Sequence, residues 1–389
     1  MSEHWITYVD ETGSFERQDS CSLVVGWLTR LDGDNGLEAL NNRISAVAPW
    51  LPRPLHASFF QRPAWHALSL MLVDGPIPQP WLDQIGLQQQ QMESLLRRSR
   101  DFWQSGATRD PFADALAAMK DGKEPDLKWI RALDNSLNAA SAHDATLRRV
   151  WKIADTIEST ARQQMVHALS GTFRVRGADA GALVIANAER YEGRNHSDRY
   201  LGALQTMVNV AAWSLLAAES KRSGARLEFA VARRGVLHPV LGEKVHLDSP
   251  ILNQVIRAAL NGRKSLSVSG TSLEVPGGTV HDFRDTNQVG LVVADLAANY
   301  IFRLLGPNND RDIRSMEQML EARVGLSLRL DQTAPYSVAS NGWFAHYIQA
   351  QLSGELPGVT PLETPVWVVE AAHAWAEHFQ LSGWREVLQ

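Results

Sequence analysis

The sequence predicts a mixed α/β protein, with a core of strands and flanking helices, a large helical insertion and a helical C-terminal extension. Two short stretches near the start carry the β-branched and aromatic residues typical of strands. Helical periodicity fills much of residues 36–165, and strand and helix patterns alternate over residues 166–306. Residues 307–389 return to helical patterns. Residues 1–35 and 166–306 are therefore predicted to form the core.

The first predicted strand covers residues 5–9 and runs directly into two carboxylates, Asp10 and Glu11. Turn-forming residues follow at 12–14, and a second strand is predicted over residues 22–28. We expect these two strands to pair as a hairpin that opens the fold and places both carboxylates where the first strand ends.

Residues 36–165 are interpreted as an inserted helical block. Prolines punctuate the first half of this block, and helical patterns fill its second half. These patterns cover residues 82–103, 112–119, 127–137 and 145–165. The 13 tryptophans of the chain are scattered without a repeat period, so we interpret them mainly as core and interface anchors.

After the insertion, strands and helices alternate. Strands are predicted over residues 182–186, 226–233 and 265–275, and helices over residues 197–221, 250–260 and 288–305. A Rossmann domain would alternate strands and helices from its first element. A hairpin start followed by helices between the later strands fits an RNase H-like layout better.

The composition is that of a soluble globular protein, with 44% hydrophobic residues and a formal net charge of −5. This charge excludes a generally basic nucleic-acid coat, although it leaves a local basic groove open. The single cysteine excludes an internal disulfide and a zinc site built from several thiolates. No signal peptide and no apolar run of about 18 residues is visible. We therefore expect a cytoplasmic protein that does not enter a membrane.

Three acids carry the strongest chemical signal. Asp10 and Glu11 follow a strand, where a rigid backbone lets side chains converge on a cation. Asp295 lies in an apolar helix, where a carboxylate is costly to bury unless it binds a cation or is hydrogen-bonded. The alternatives are that Asp10 and Glu11 only close a turn, and that Asp295 is a hydrogen-bonded helix residue.

Three short motifs resemble a known family. They are DETG at residues 10–13, LHA at 55–57 and ADLA at 294–297. Their order and spacing resemble those of the bacterial family catalogued as domain of unknown function 3800, over residues 5–30 and 170–305. The resemblance implies an RNase H-like fold and a metal-dependent nuclease that uses Mg²⁺ or Mn²⁺. It also implies that Asp10, Glu11 and Asp295 are catalytic, and that Asp10 and Asp295 are metal ligands.

The sequence departs from the family pattern at two positions. Thr12 stands where the family has serine, which keeps the hydroxyl group. Ala232 stands near the position where an acid is expected. Glu228 is a poor replacement because it lies about 13 Å away along the strand. Either another acid completes the site (Glu189, Asp285 or Glu219), or this member is catalytically degenerate.

Basic residues near the predicted strand ends suggest a track for nucleic acid, since phosphate contacts need such a groove. They are Arg190, Arg194, Arg233 and Arg234. The alternative is that these arginines only form a solvated surface.

The leading hypothesis from the sequence is a nuclease with two metal ions about 3.5–4 Å apart. The rival hypothesis is a non-catalytic binding or scaffold subunit of a multiprotein system such as phage defence. In that case the Trp-rich insertion and the tail would bind a protein partner or a second copy of the chain.

Overall fold

Strands and helices alternate in a computed structural model of the chain. It describes residues 3–13, 15, 22–31, 37–73, 75–173, 182–187, 196–218, 224–237, 244–260, 262–268, 271–282, 288–305, 327–328 and 336–340. The chain divides into two units, residues 1–37 with 170–389 and residues 38–169. The first unit carries the sheet, and the second unit is helical.

The strands all lie in the first unit. They are β1 (Glu3–Thr12), β2 (Leu23–Arg30), β3 (Ala182–Asn187), β4 (Ala225–Ala232), β5 (Gly235–Leu237), β6 (Lys244–His246), β7 (Ser265–Val268), β8 (Thr271–His281), β9 (Ser327–Leu328) and β10 (Tyr336–Ser340). The helices are α1 (Leu37–Ala46), α2 (Ala57–Phe60), α3 (Pro63–Leu72), α4 (Gln79–Ile85), α5 (Gln89–Trp103), α6 (Arg109–Lys120), α7 (Leu127–Ser141), α8 (Ala145–Phe173), α9 (His196–Ala218), α10 (Ser249–Ala259) and α11 (Val289–Leu305). A 3₁₀ turn covers Gly106–Thr108.

One mixed sheet has the strand order β7-β8-β4-β1-β2-β3-β10-β9. The predicted opening hairpin is confirmed, because β1 and β2 pair antiparallel with Trp5 opposite Arg30. β3 adds antiparallel to β2, whereas β4 lies parallel to β1 and β8 lies parallel to β4. β5 and β6 form a separate two-stranded sheet.

The central strand β1 is buried on both faces. Its residues from Trp5 to Asp10 are all buried, as expected for a strand with a neighbour on each side and helices on both faces. On one face, Met207 of α9 packs against Gly26 of β2, where a Cβ would overlap the methionine sulfur. Helices α9 and α10 enclose the main apolar core on that face.

Helix α11 packs on the opposite face of the sheet. Gly290 lies so close to the Tyr8 ring that a Cβ at Gly290 would overlap it. Side chains two residues apart on a strand point to the same face. Asp10 therefore lies on the face that α11 covers, which brings the helix carrying Asp295 over the end of β1.

The second unit contains a helix cap made by a residue distant in sequence. Asp134 on α7 is buried, and its Oδ1 accepts a hydrogen bond of 2.7 Å from the backbone N–H of Ala64, in the first turn of α3. The cap satisfies an N–H group that no residue of α3 can pair with. His56 makes a similar cap locally, accepting from the Ser58 N–H at the start of α2.

Two predictions about elements are wrong. The strand predicted over residues 265–275 is a hairpin, because β7 ends at Val268 and pairs antiparallel with β8 from Thr271 onward. Within residues 307–389, the expected helical extension is replaced at 327–328 and 336–340 by strands, and β10 pairs with β3. The remaining residues of 307–389 lie outside the described residues. None of the helices in the described part of the chain is long and apolar enough to cross a membrane.

Candidate active site

Asp10 and Asp295 meet from elements that are distant in sequence. Asp10 is near the end of β1 and is 9% exposed, and Asp295 is on α11 and is 6% exposed. The carboxyl groups interact electrostatically, so Asp295 raises the pKa of Asp10. Two carboxylates from separate elements are thus held near each other in a poorly hydrated place.

The pKa of Asp10 is raised well above its ordinary value. Burial is the largest cause, followed by the charges of Asp295 and Glu11. The Glu11 backbone N–H opposes this effect, since it donates a 2.8 Å hydrogen bond to Asp10 Oδ1. Like charges in a low-dielectric environment are stabilised by a shared proton or by a bound cation. The pair is therefore suited to holding positive charge.

Glu11 already has a positively charged partner in Arg234. The guanidinium Nη1 lies 2.8 Å from Glu11 Oε1, and each side chain is 19% exposed. Burial raises the pKa of Glu11, and Arg234 opposes that rise. The second oxygen, Oε2, is buried and has no hydrogen-bond partner in the described part of the chain. Glu11 therefore has one neutralised and one unsatisfied oxygen.

Two aromatic rings hold the Arg234 guanidinium in place. Its central carbon lies 4.3 Å from the ring centroid of Phe15 and 4.8 Å from that of Tyr200. The rings pack edge to face with centroids 5.6 Å apart, and Arg199 donates to the Phe15 carbonyl. Cation–π contact with two rings restricts the arginine to one direction, toward Glu11. Phe15 and Tyr200 were not among the predicted site residues, because only the fold brings these two rings next to Arg234.

The arginines predicted to bind nucleic acid have separate environments. Arg234 is an internal partner of Glu11, as described above. Arg233 is 49% exposed and lies 3.8 Å from Asp282, so it is accessible at the surface. Arg190 and Arg194 lie outside the described residues. The same holds for Glu189, Asp285 and Glu219, the acids that the sequence offered to complete the site.

Ala232 lies directly beside Asp10 in the sheet. Val9 pairs with Val231 across β1 and β4, so Asp10 and Ala232 are the next residues of these two parallel strands. Ala232, near which the resemblance led us to expect an acid, is thus level with Asp10 on the adjacent strand. Glu228 is paired instead with Arg226 and His4 near the other end of β4.

Asp10 and Asp295 are the side chains of this site that could hold a divalent cation. Carboxylate oxygens are the ligands that Mg²⁺ and Mn²⁺ prefer, and Mg²⁺ in enzymes is often held by only one or two carboxylates. Asp10 and Asp295 meet that requirement, and Glu11 is neutralised by Arg234. Among the residues that the structure describes, no group of three or more histidine, cysteine, aspartate or glutamate side chains is arranged to hold a metal ion.

Comparison of the chain with protein-family models, with curated proteins and with solved structures gave no match. The resemblance to domain of unknown function 3800 therefore remains a prediction based on the three sequence motifs. Any functional assignment depends on the geometry of Asp10, Asp295 and their neighbours.

Proposed function

We propose that this chain is an RNase H-like hydrolase that cleaves nucleic-acid phosphodiesters with one divalent cation held by Asp10 and Asp295. The arrangement of the sheet supports the fold assignment. An antiparallel hairpin opens the fold, and the later strands β4 and β8 extend the sheet in parallel with helices between them. These pairings support the proposal of an RNase H-like layout.

The observation that carries the proposal is the meeting of Asp10 and Asp295. A buried carboxyl group whose pKa is raised by burial and by a neighbouring carboxylate, as that of Asp10 is by Asp295, is typical of functional sites. When bound, a divalent cation would supply a Lewis acid for the phosphate and for an attacking water. The Glu11 N–H fixes the direction of Asp10, and Arg234 opposes the rise that burial causes in the pKa of Glu11.

The test is cleavage of labelled single- and double-stranded RNA and DNA with Mg²⁺ or Mn²⁺. We expect Asp10→Asn and Asp295→Asn each to lower the cleavage rate at least about 100-fold, because the ligands of the cation are lost. Asp121→Asn is the matched control, since Asp121 is a 66% exposed side chain paired only with Lys123. Equal cleavage by all four proteins would contradict the proposal.

A second candidate function is a nucleic-acid or protein-binding subunit without catalysis. Two observations favour it. Ala232 is level with Asp10 on β4, near the position where an acid was expected, and Arg234 neutralises Glu11. A calorimetric titration with Mn²⁺ separates the two candidates. Binding of one ion per chain that is lost in Asp295→Asn supports the hydrolase, and the absence of binding supports the subunit without catalysis.

A further inference from the structure

His281 lies in the same row of the sheet as Asp10, where a row is a set of residues level with one another on adjacent strands. Ala232 of β4 pairs with His281 of β8, and Ala232 is also the neighbour of Asp10 on its other side. Residues level with each other on adjacent parallel strands point to the same face. With strands about 4.8 Å apart, the Cα atoms of Asp10 and His281 are about 10 Å apart, separated only by the methyl group of Ala232.

The position of His281 depends on an irregularity that the sequence does not reveal. Between Arg226 and Glu228 the pairing of β4 with β8 shifts by one residue, which places an extra residue in β8. Such a bulge reverses the face to which the following side chains point. After the shift, Val280 packs against the apolar core with α9 and α10, and His281 is directed to the α11 face.

The imidazole of His281 is held in place and remains accessible. Its Nε2 lies 2.7 Å from the Thr279 hydroxyl and 3.4 Å from the amide nitrogen of Gln288, the residue before α11. His281 is partly exposed and Thr279 is exposed, so this end of the row opens to solvent. The tautomer decides which ring nitrogen accepts a proton. When Nε2 donates to the Thr279 hydroxyl, the acceptor is Nδ1, and when Nε2 accepts from the Gln288 amide, the ring proton is on Nδ1 and the base is Nε2.

The protonation state of the His281 imidazole also allows it to accept a proton. Partial burial lowers the pKa of His281 below its ordinary value, so the imidazole is neutral at pH 7. A neutral imidazole within reach of a reacting group is the usual general base in proteins.

We infer that His281 is a catalytic residue that accepts the proton of the attacking water at the end of this row that opens to solvent. The inference rests on the proposed function. The water oxygen forms a bond to phosphorus, and the bond from phosphorus to the leaving oxygen breaks, with its electron pair remaining on that oxygen. The proton of the water passes to His281 and then to the leaving oxygen or to solvent. No acid at position 232 is required for this step.

The test compares His281→Ala and His281→Gln with the wild type in the same cleavage assay. General-base catalysis contributes about 10²–10⁴-fold, so we expect kcat to fall by at least about 100-fold in both variants with KM changed less than about threefold. Added imidazole is expected to restore part of the activity of His281→Ala. His246→Ala is the matched control because His246, like His281, is the last residue of its strand, and it is exposed.

A second readout does not depend on turnover. Affinity for a non-cleavable phosphorothioate oligonucleotide, measured by fluorescence anisotropy, is expected to stay within about threefold of the wild type in both variants. Circular dichroism of His281→Gln verifies that the sheet is retained. Wild-type rates in both His281 variants, while Asp10→Asn is inactive, overturn the role of His281 alone. A wild type that cleaves nothing overturns both proposals.

Discussion

The Arg234 guanidinium lies 2.8 Å from the Glu11 carboxylate, between the rings of Phe15 and Tyr200. This relationship divides the acids at the end of β1 into two groups. Glu11 is paired with an internal cation, whereas the charges that act on Asp10 are those of Asp295 and Glu11, and both raise its pKa. Under the proposed function, Asp10 and Asp295 are therefore the acids that hold the metal ion, and Glu11 is held by the arginine.

Replacing Arg234 with methionine is expected to lower the free energy of unfolding by about 2–3 kcal/mol. The substitution leaves the largely buried Glu11 carboxylate without its partner, and an unpaired charge there is costly. Urea unfolding measures the change. The double variant Arg234→Met with Glu11→Gln is expected to recover most of the loss. Arg233→Met, at an exposed arginine, should change stability by less than about 0.5 kcal/mol.

Asp10→Asn is expected to stabilise the metal-free protein at pH 7 by about 1 kcal/mol. Burial, Asp295 and Glu11 raise the pKa of Asp10 in the folded state, so the folded protein binds this proton more tightly than the unfolded chain. In the wild type, the free energy of unfolding falls as the pH rises from about 4 through the pKa of Asp10 in the folded state. Asparagine does not ionise, so the variant does not lose this stability. Thermal unfolding between pH 4 and pH 8 measures the difference.

Mn²⁺ provides the control for the Asp10→Asn experiment. A cation that binds the folded wild type raises its Tm by mass action, and the variant lacks one of the two carboxylates. We expect 1 mM Mn²⁺ to stabilise the wild type and to leave Asp10→Asn unchanged. An equal increase in Tm for both proteins would show that the ion binds elsewhere.

Ala232→Asp is expected to increase Mn²⁺ affinity by about tenfold or more. The new carboxylate would be level with Asp10 on the adjacent strand, where it adds an oxygen ligand. Ala232 is 6% exposed, so without metal the added charge is expected to destabilise the fold by about 1–3 kcal/mol. Isothermal titration calorimetry measures the affinity. Ala232→Asn has the same size without the charge, and a similar gain in that variant would refute the explanation.

Asp134 gives the helical unit a pH dependence of its own. Burial raises the pKa of Asp134 to about 6, against opposing contributions from the Ala64 N–H and Arg62. Because the folded pKa is raised, stability falls as the pH rises from about 4 to about 6 and then levels off, by at most about 3 kcal/mol. Urea unfolding at intervals of half a pH unit measures this.

Two substitutions separate the charge of Asp134 from its capping role. Asp134→Asn keeps an oxygen that accepts from the Ala64 N–H, so we expect it to abolish the pH dependence without loss of stability at pH 7. Asp134→Ala also removes the cap, so we expect it to be about 1–2 kcal/mol less stable than Asp134→Asn at every pH. A pH dependence that persists in Asp134→Asn would assign it to another group, with Glu158 as the first candidate.

Local patterns in the sequence were sufficient for the opening hairpin and for the helices on either side of the sheet. Alternation of β-branched and aromatic residues predicted β1 and β2, and apolar periodicity predicted α9, α10 and α11 to within a few residues. The same reasoning missed the break between β7 and β8, since a short turn leaves the apolar alternation on both sides intact.

By itself, the sequence determined the class of the fold and identified Asp10, Glu11 and Asp295 as unusual acids. Only the tertiary structure decided which of them act together, because strand order, register and the face of each side chain depend on pairing between distant segments. A packing contact between Gly290 and Tyr8 brings α11 onto β1, and the shifted pairing of β4 with β8 brings His281 into the row of Asp10. Neither relationship has a local signal, since each requires two segments to be in contact before it exists.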